Sequence, residues 1–167
     1  MYLSNLTIRN FRQFGDGDAT LNISFHKGVN ALVGRNDSGK SAIIDAIRYA
    51  LLTRDQEFIR VQQEDFHLDQ AGKPAADIFI RCKLSELDDD ERGAFLEYLS
   101  YEDGQVSLYV NWTAKRLSDS PGARRWIDVS VHSGIDGTGP PLEASVRALL
   151  SSTYLRPLRD AEREMSP

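Results

Sequence analysis

Gly34-Arg35-Asn36-Asp37-Ser38-Gly39-Lys40-Ser41 has the residue types and spacing that phosphate chemistry demands. The stretch fits G-x-x-x-x-G-K-[ST], the Walker A or P-loop pattern, and each fixed position has a physical task. Gly34 and Gly39 let the backbone turn and approach phosphate oxygens with no Cβ in the way. The loop N–H groups and the first turn of a following helix form an anion-binding nest. Lys40 places a point charge at the β- and γ-phosphates. Ser41 offers an oxygen to Mg²⁺, which bridges phosphate oxygens. The bland alternative is a glycine-rich link with a solvated lysine, and it does not explain why Gly, Gly, Lys and Ser all fall in place. The expected ligand is a nucleoside triphosphate, most simply ATP, and the motif itself does not distinguish ATP from GTP.

Such a loop must be held between a strand and a helix. Val29 to Val33 is a short apolar run ending at Gly34, which predicts a buried strand. Ile43, Ala46, Ile47, Ala50 and Leu51 recur at helical spacing and predict a helix to about Leu52. Upstream, Leu3 to Phe11 and Leu21 to Phe25 alternate and predict two antiparallel strands separated by Gly15-Asp16-Gly17-Asp18. Residues 54–76 show no period and read as loop. Asp77–Leu84, Val106–Trp112 and Arg125–His132 alternate and suggest an antiparallel meander. A helix is expected from Asp88 to Leu99, capped by Asp88 with Glu91 three residues on. A second is expected after Gly137-Thr138-Gly139-Pro140, with Pro141 in its first turn. Tyr154-Leu155 reads as the start of a strand and Leu158 as the start of a helix. The fold class is therefore α/β, a P-loop strand and helix beside an antiparallel β-rich subdomain. The whole of 1–167 reads as one lobe, divided into 1–60, 61–135 and 136–167.

Other residues that could do chemistry fare less well. Asp88-Asp89-Asp90 contains D-x-D, but it opens a helix, where acids complement the dipole. His26, His67 and His132 lack metal-ligand spacing. No Ser-His-Asp or Cys-His set is present. Lys115-Arg116 and Arg124-Arg125-Trp126 could touch DNA, although charges that protect an edge strand are the simpler reading.

The balance of charge points away from a nucleic-acid surface in the chain itself. The net charge is -5, and residues 61–104 carry 4 Lys/Arg against 12 Asp/Glu. Residues 1–60 carry 8 against 6, and residues 105–167 carry 8 against 7. An acidic middle repels a phosphate backbone. Cys82 is the only cysteine, so no internal disulfide can form; a reducing, cytoplasmic setting is expected. Charged residues interrupt every apolar run, so no membrane span is expected.

Asn10-Phe11-Arg12 after a strand, followed by a second strand and then Gly-x-Asn-x-Ser-Gly-Lys-Ser, resembles the N-terminal lobe of ABC-type ATPases of the RecF/SMC group. Glu64-Asp65-Phe66-His67 and Tyr154-Leu155-Arg156-Pro157-Leu158-Arg159-Asp160-Ala161 resemble the OLD-family ATP-dependent nucleases, and the opening is also similar to Gabija-type antiphage nucleases. The resemblance implies that Lys40 and Ser41 serve phosphate and magnesium. It puts Asn36 near the γ-phosphate, where it could orient an attacking water, and Arg12 beside the nucleotide. Arg159 would face the nucleotide or a dimer partner. Asp37 departs from the glycine common at that place in the wider group, so its carboxylate must point away from the phosphates. The resemblance also implies ATP sandwiched between two heads of a homodimer, with DNA reached through other parts. No Walker B strand, signature loop or Toprim nuclease residues follow Ser41, so the resemblance implies an N-terminal piece of a longer protein. Alternatives are a RecF/SMC-like repair ATPase without nuclease, a small P-loop kinase or GTPase, and a module that only senses ATP.

Overall fold

The computed structural model describes residues 1–53, 60–117 and 127–153. Its centre is a six-stranded antiparallel sheet. In chain order the strands are β1 (Tyr2–Arg9), β2 (Leu21–Ser24), β3 (Asp77–Ser85), β4 (Leu99–Glu102), β5 (Gln105–Arg116) and β6 (Ile127–His132). In space they run β2-β1-β3-β5-β4, and β6 pairs with the far half of β5. The helices are α1 (Lys40–Leu51), α2 (Asp89–Ala94) and α3 (Ala144–Leu149).

Alternation decides which side of the sheet faces α1. Leu6 and Ile8 on β1, Ile78, Ile80 and Cys82 on β3, and Leu108, Val110 and Trp112 on β5 are all buried. The period of two puts them on one face. Burial also pushes the Cys82 thiol up to about 12. Helix α1 covers this face with Ala42, Ile43, Ala46, Tyr49 and Ala50. Its buried stripe is rotated slightly from the expected one: Ile47 is only partly buried, and Tyr49 is in the core. The Tyr49 ring stacks on Trp112 at 5.2 Å and meets the edge of Phe11 at 5.9 Å. Large aromatic area and ring geometry together make this the heaviest part of the core.

The far end of α1 is tied down by the C-terminal segment. Arg147 donates from Nη2 to the carbonyls of Tyr49 and Ala50, at 3.0 and 3.2 Å. Ser152 donates from both its backbone N–H and Oγ to the Leu52 carbonyl. A cation at a helix C-terminus meets the negative end of the dipole and satisfies orphan carbonyls. Burial lowers the Arg147 pKa, and these carbonyl contacts offset part of that penalty.

Several expectations change. The Val29–Val33 strand does not form: the segment has no ladder partner among the described residues, and Val29 and Val33 are 101% and 93% exposed. A strand needs neighbouring N–H and C=O groups, and an apolar run alone supplies none. The expected helix over 88–99 stops at Ala94, after Gly93 weakens it, and becomes a 3₁₀ turn over Leu96–Tyr98. Leu99 then starts β4, which pairs with β5 through a turn at Asp103-Gly104, both with φ in the left-handed region. The Asp88–Glu91 capping box forms as expected, with Asp89 and Asp90 in the first turn of the helix. The third helix starts at Ala144 rather than at Pro141, because Pro141 bridges to His132 and Leu142 donates to the Val131 carbonyl. The readings at 154–161, including Arg159, and at Arg124-Arg125-Trp126 lie outside the described residues. No described helix is long and apolar enough to cross a membrane.

Candidate functional site

Three short segments meet at the start of α1. The first is the turn that follows β1. Asn10 and Arg12 both have left-handed φ, and Phe11 and Phe14 exchange backbone hydrogen bonds at 2.9 Å. This tight turn carries Arg12 and Gln13 at its tip. The second segment is 62–67, which lies along the first: Phe66 bridges to Phe11, the Arg12 N–H donates to the Asp65 carbonyl, and the His67 N–H donates to the Asn10 carbonyl. The third is the loop 34–41.

That loop leads directly into α1. Gly39 stands at φ +95°, immediately before α1. A Cβ on Gly39 would collide with the Gln13 side-chain amide and come within 2.8 Å of the Phe14 ring. Glycine is therefore required both by the backbone conformation and by the close approach of the first turn. No side chain caps α1. The amides of Lys40, Ser41 and Ala42 have no acceptor among the described residues, so the positive end of the helix dipole is left without a partner there. The Ser41 hydroxyl has no hydrogen-bond partner among the described residues either, and it is exposed.

Lys40 folds back across its own loop. Its ammonium donates to the Gly34 carbonyl at 2.7 Å, the Arg35 carbonyl at 2.5 Å and Ser38 Oγ at 3.4 Å. Loop oxygens thus hold the charge beside the unpaired amides. A polyphosphate would supply stronger, negatively charged acceptors at the same place.

A cleft of about 400 Å³ opens here, within the range of small-molecule sites. Arg12, Asn36, Asp37, Gly39, Lys40 and Ser41 line it, all of them expected from the sequence. Gly34, Arg35 and Ser38 do not line it; they hold the Lys40 ammonium instead. Gln13 and Ala42 also line it and were not anticipated. A polar residue at the tip of a turn after a strand is a common surface feature, and only the fold brings Gln13 to Gly39. The residues fit a magnesium nucleotide: amides without a partner, the loop-held Lys40 ammonium and the unpartnered Ser41 hydroxyl converge, and glycine at 39 leaves no Cβ in the cradle. A bound triphosphate would bring the bond to be broken. The chain's own groups would bind it, neutralise its charge and orient it, with Ser41 placed to hold the metal.

Arg12 does not reach freely into the cleft. Its Nε donates to Asp65 Oδ1 at 2.8 Å, and its Nη1 donates to Asp45 Oδ2 at 2.7 Å. Burial pulls its pKa down, but the hydrogen bonds and charges of Asp65 and Asp45 outweigh this and raise it. Periodicity marked neither Asp45 nor Asp65 as part of the site.

Asp37 sits in the loop at φ +64°. Aspartate tolerates this conformation better than most residues. Its carboxylate still adds like charge beside a phosphate site. Asp37→Asn keeps the backbone tolerance and removes the charge, so it is expected to tighten Mg-ATP about threefold. Calorimetry at low salt would measure this, and an unchanged or weaker affinity would count against the electrostatic reading.

The antiparallel sheet, packed on a helix that begins at a glycine loop, has the fold of ABC-type P-loop ATPase heads. The chain belongs to the AAA domain family AAA_23, which matches residues 5–121. Relatives include the DNA replication and repair protein RecF of Streptococcus gordonii, 27% identical over 145 residues. That match covers 78% of this chain and 38% of RecF. The chromosome partition protein Smc of Fusobacterium nucleatum is 36% identical over 126 residues, covering 71% of this chain and 10% of that protein. The Rad50 ATPase of Thermoplasma volcanium, a DNA double-strand break repair protein, is 42% identical over 53 residues, which are 32% of this chain and 6% of Rad50. This chain therefore spans well under half the length of the curated relatives it matches.

Among solved structures, a chain from the structural biochemistry of ATP-driven dimerization and DNA-stimulated activation of SMC ATPases superposes with a TM-score of 0.64 at 19% identity. The alignment covers 100% of this chain and 93% of that one. A crystal structure of the Smc head bound to the C-winged helix domain of ScpA aligns with a TM-score of 0.52 at 21% identity, covering 90% of this chain and 39% of that one. At these identities the likeness speaks for the fold.

Proposed function

We propose that this chain is the ATP-binding N-terminal lobe of an OLD-like ATP-dependent DNA endonuclease. Lys40 and the amides at the start of α1 bind the phosphates of ATP, and Ser41 holds Mg²⁺. Asn36 and Arg12 face the outer phosphates. In the intact protein two heads sandwich ATP, and nucleotide governs cutting by a Toprim domain elsewhere in the protein. The observation that carries the nucleotide part is the set of unpaired amides and the loop-held Lys40 ammonium around one cleft. The OLD part is supported by the Glu64-Asp65-Phe66-His67 block. Its Asp65 binds the Arg12 side chain, and His67 Nδ1 lies 2.7 Å from the Arg12 carbonyl.

A second reading is a RecF/SMC-like repair or chromosome ATPase without nuclease activity. The relatives favour it, since RecF, Smc and Rad50 all match this chain. One experiment on the full-length protein separates the two: supercoiled plasmid incubated with Mg²⁺, with and without ATP, alongside an ATPase assay. Nicked or linear product supports the nuclease reading. ATP hydrolysis with intact plasmid supports the second.

A further inference from the structure

We propose that Asp65 is the positioning residue that aims Arg12 at the phosphates of the bound nucleotide. The inference rests on the nucleotide-binding reading above and assigns the clamp behind it.

Arg12 is held on three sides. Its guanidinium lies over the Phe11 ring, 4.8 Å from the centroid. Asp65 takes Nε and Asp45 takes Nη1. Nη2 has no partner among the described residues, and Arg12 is part of the cleft wall. The arrangement fixes the plane of the fork while leaving one N–H₂ group unpaired. A guanidinium prepared in this way binds a phosphate oxygen with less loss of rotamer freedom than one that must be ordered on binding.

The two carboxylates differ in how firmly they are set. Asp45 is on α1, its side chain 22% exposed, and Arg48 shares it through Nη1 at 3.3 Å. Asp65 is 7% exposed. Its second oxygen accepts from the Tyr49 hydroxyl at 3.0 Å and from the Gln62 N–H at 2.9 Å. Tyr49 is itself wedged between Trp112 and Phe11. Asp65 cannot swing away without breaking these bonds, so it sets the direction of Nε. It also binds the backbone of the same arginine, since the Arg12 N–H donates to the Asp65 carbonyl at 2.8 Å. Burying a carboxylate is costly unless it is hydrogen-bonded, and the Asp65 side chain is held by Arg12, by the Tyr49 hydroxyl and by the Gln62 N–H, whose bond also caps the 3₁₀ turn over Gln63–Asp65.

A double-mutant cycle on the chain tests this, reading Mg-ATP affinity by calorimetry and folding by thermal denaturation. Arg12→Ala is expected to weaken binding about tenfold. Asp65→Asn keeps the shape and loses the charge; it is expected to weaken binding severalfold in the parent and not at all when Arg12 is already alanine. Tyr49→Phe removes only the hydroxyl that pins Asp65, and a smaller loss is expected, again only when Arg12 is present. Lys40→Ala serves as the reference for the site itself. Loss with Lys40→Ala but an unchanged affinity with Asp65→Asn overturns the positioning role and leaves the nucleotide site standing. An Asp65→Asn effect that adds in full to Arg12→Ala also overturns it, because Asp65 then acts through the fold. Should Asp65→Asn fail to fold, the Tyr49→Phe pair decides by the same rule. An unchanged affinity with Lys40→Ala would remove the nucleotide reading and this inference with it.

Discussion

Replacing Lys40 with alanine is expected to weaken Mg-ATP binding about a hundredfold while leaving the melting temperature nearly unchanged. The ammonium is the one side chain at the cleft whose contacts are all to uncharged oxygens of its own loop. Those contacts keep the charge beside the unpaired amides of Lys40, Ser41 and Ala42, and they give way readily to phosphate oxygens. Losing a charged partner in such a pair costs about 2–5 kcal/mol, and about 2.8 kcal/mol is a hundredfold. Alanine leaves the loop glycines and the helix start in place, so the fold should not suffer. Calorimetry on the parent and the variant checks the first part and thermal denaturation the second. A large fall in melting temperature would mean that Lys40 holds the loop rather than the ligand.

Phe11→Ala is expected to be the most damaging single truncation at the site, destabilising the chain by about 3–5 kcal/mol. Phe11 is fully buried, meets Tyr49 edge to face and lies under the Arg12 guanidinium. Its backbone closes the turn with Phe14 and bridges to Phe66. Removing the ring opens a cavity where β1, α1 and the 62–67 segment converge. It also takes away the surface that supports Arg12, so nucleotide affinity should fall as well. Urea denaturation would measure the stability, and a loss below about 1 kcal/mol would show that the turn does not depend on this ring.

The parts of the fold that were legible are those where burial acts on one face of one element. Strands β1, β3 and β5 each alternate because one side meets α1, and the alternation can be read without knowing the partner. The Asp88–Glu91 cap is legible for a similar reason, being a local exchange of hydrogen bonds. Val29–Val33 shows the limit of this logic. Hydrophobicity says a segment belongs inside, but pairing depends on a neighbour, and no described strand adjoins it. Asp103-Gly104 was a missed local signal: the dipeptide favours the tight turn that joins β4 to β5, and reading 88–99 as one helix hid it.

The site divides in the same way. The loop from Gly34 to Ser41 was readable because its chemistry is contained in consecutive residues. The clamp on Arg12 was not, because Asp45 and Asp65 are 33 and 53 positions away from it. One is on a polar turn of a helix and the other in a stretch without period. The family resemblance drew attention to the Glu64-Asp65-Phe66-His67 block, but nothing in the local pattern says which group Asp65 would hold. Its role appears only when Tyr49 and Gln62 are seen to hold it against Arg12.

The most direct test of the nucleotide reading is to follow the backbone amides of the labelled chain by NMR while Mg-ATP is added. The account predicts that the amides from Gly34 to Ser41, with Gly39, Lys40 and Ser41 foremost, shift the most and reach saturation together. It also predicts that sodium chloride at the same ionic strength does not reproduce those shifts. Shifts centred elsewhere in the chain, or none in this loop at saturating nucleotide, would contradict it.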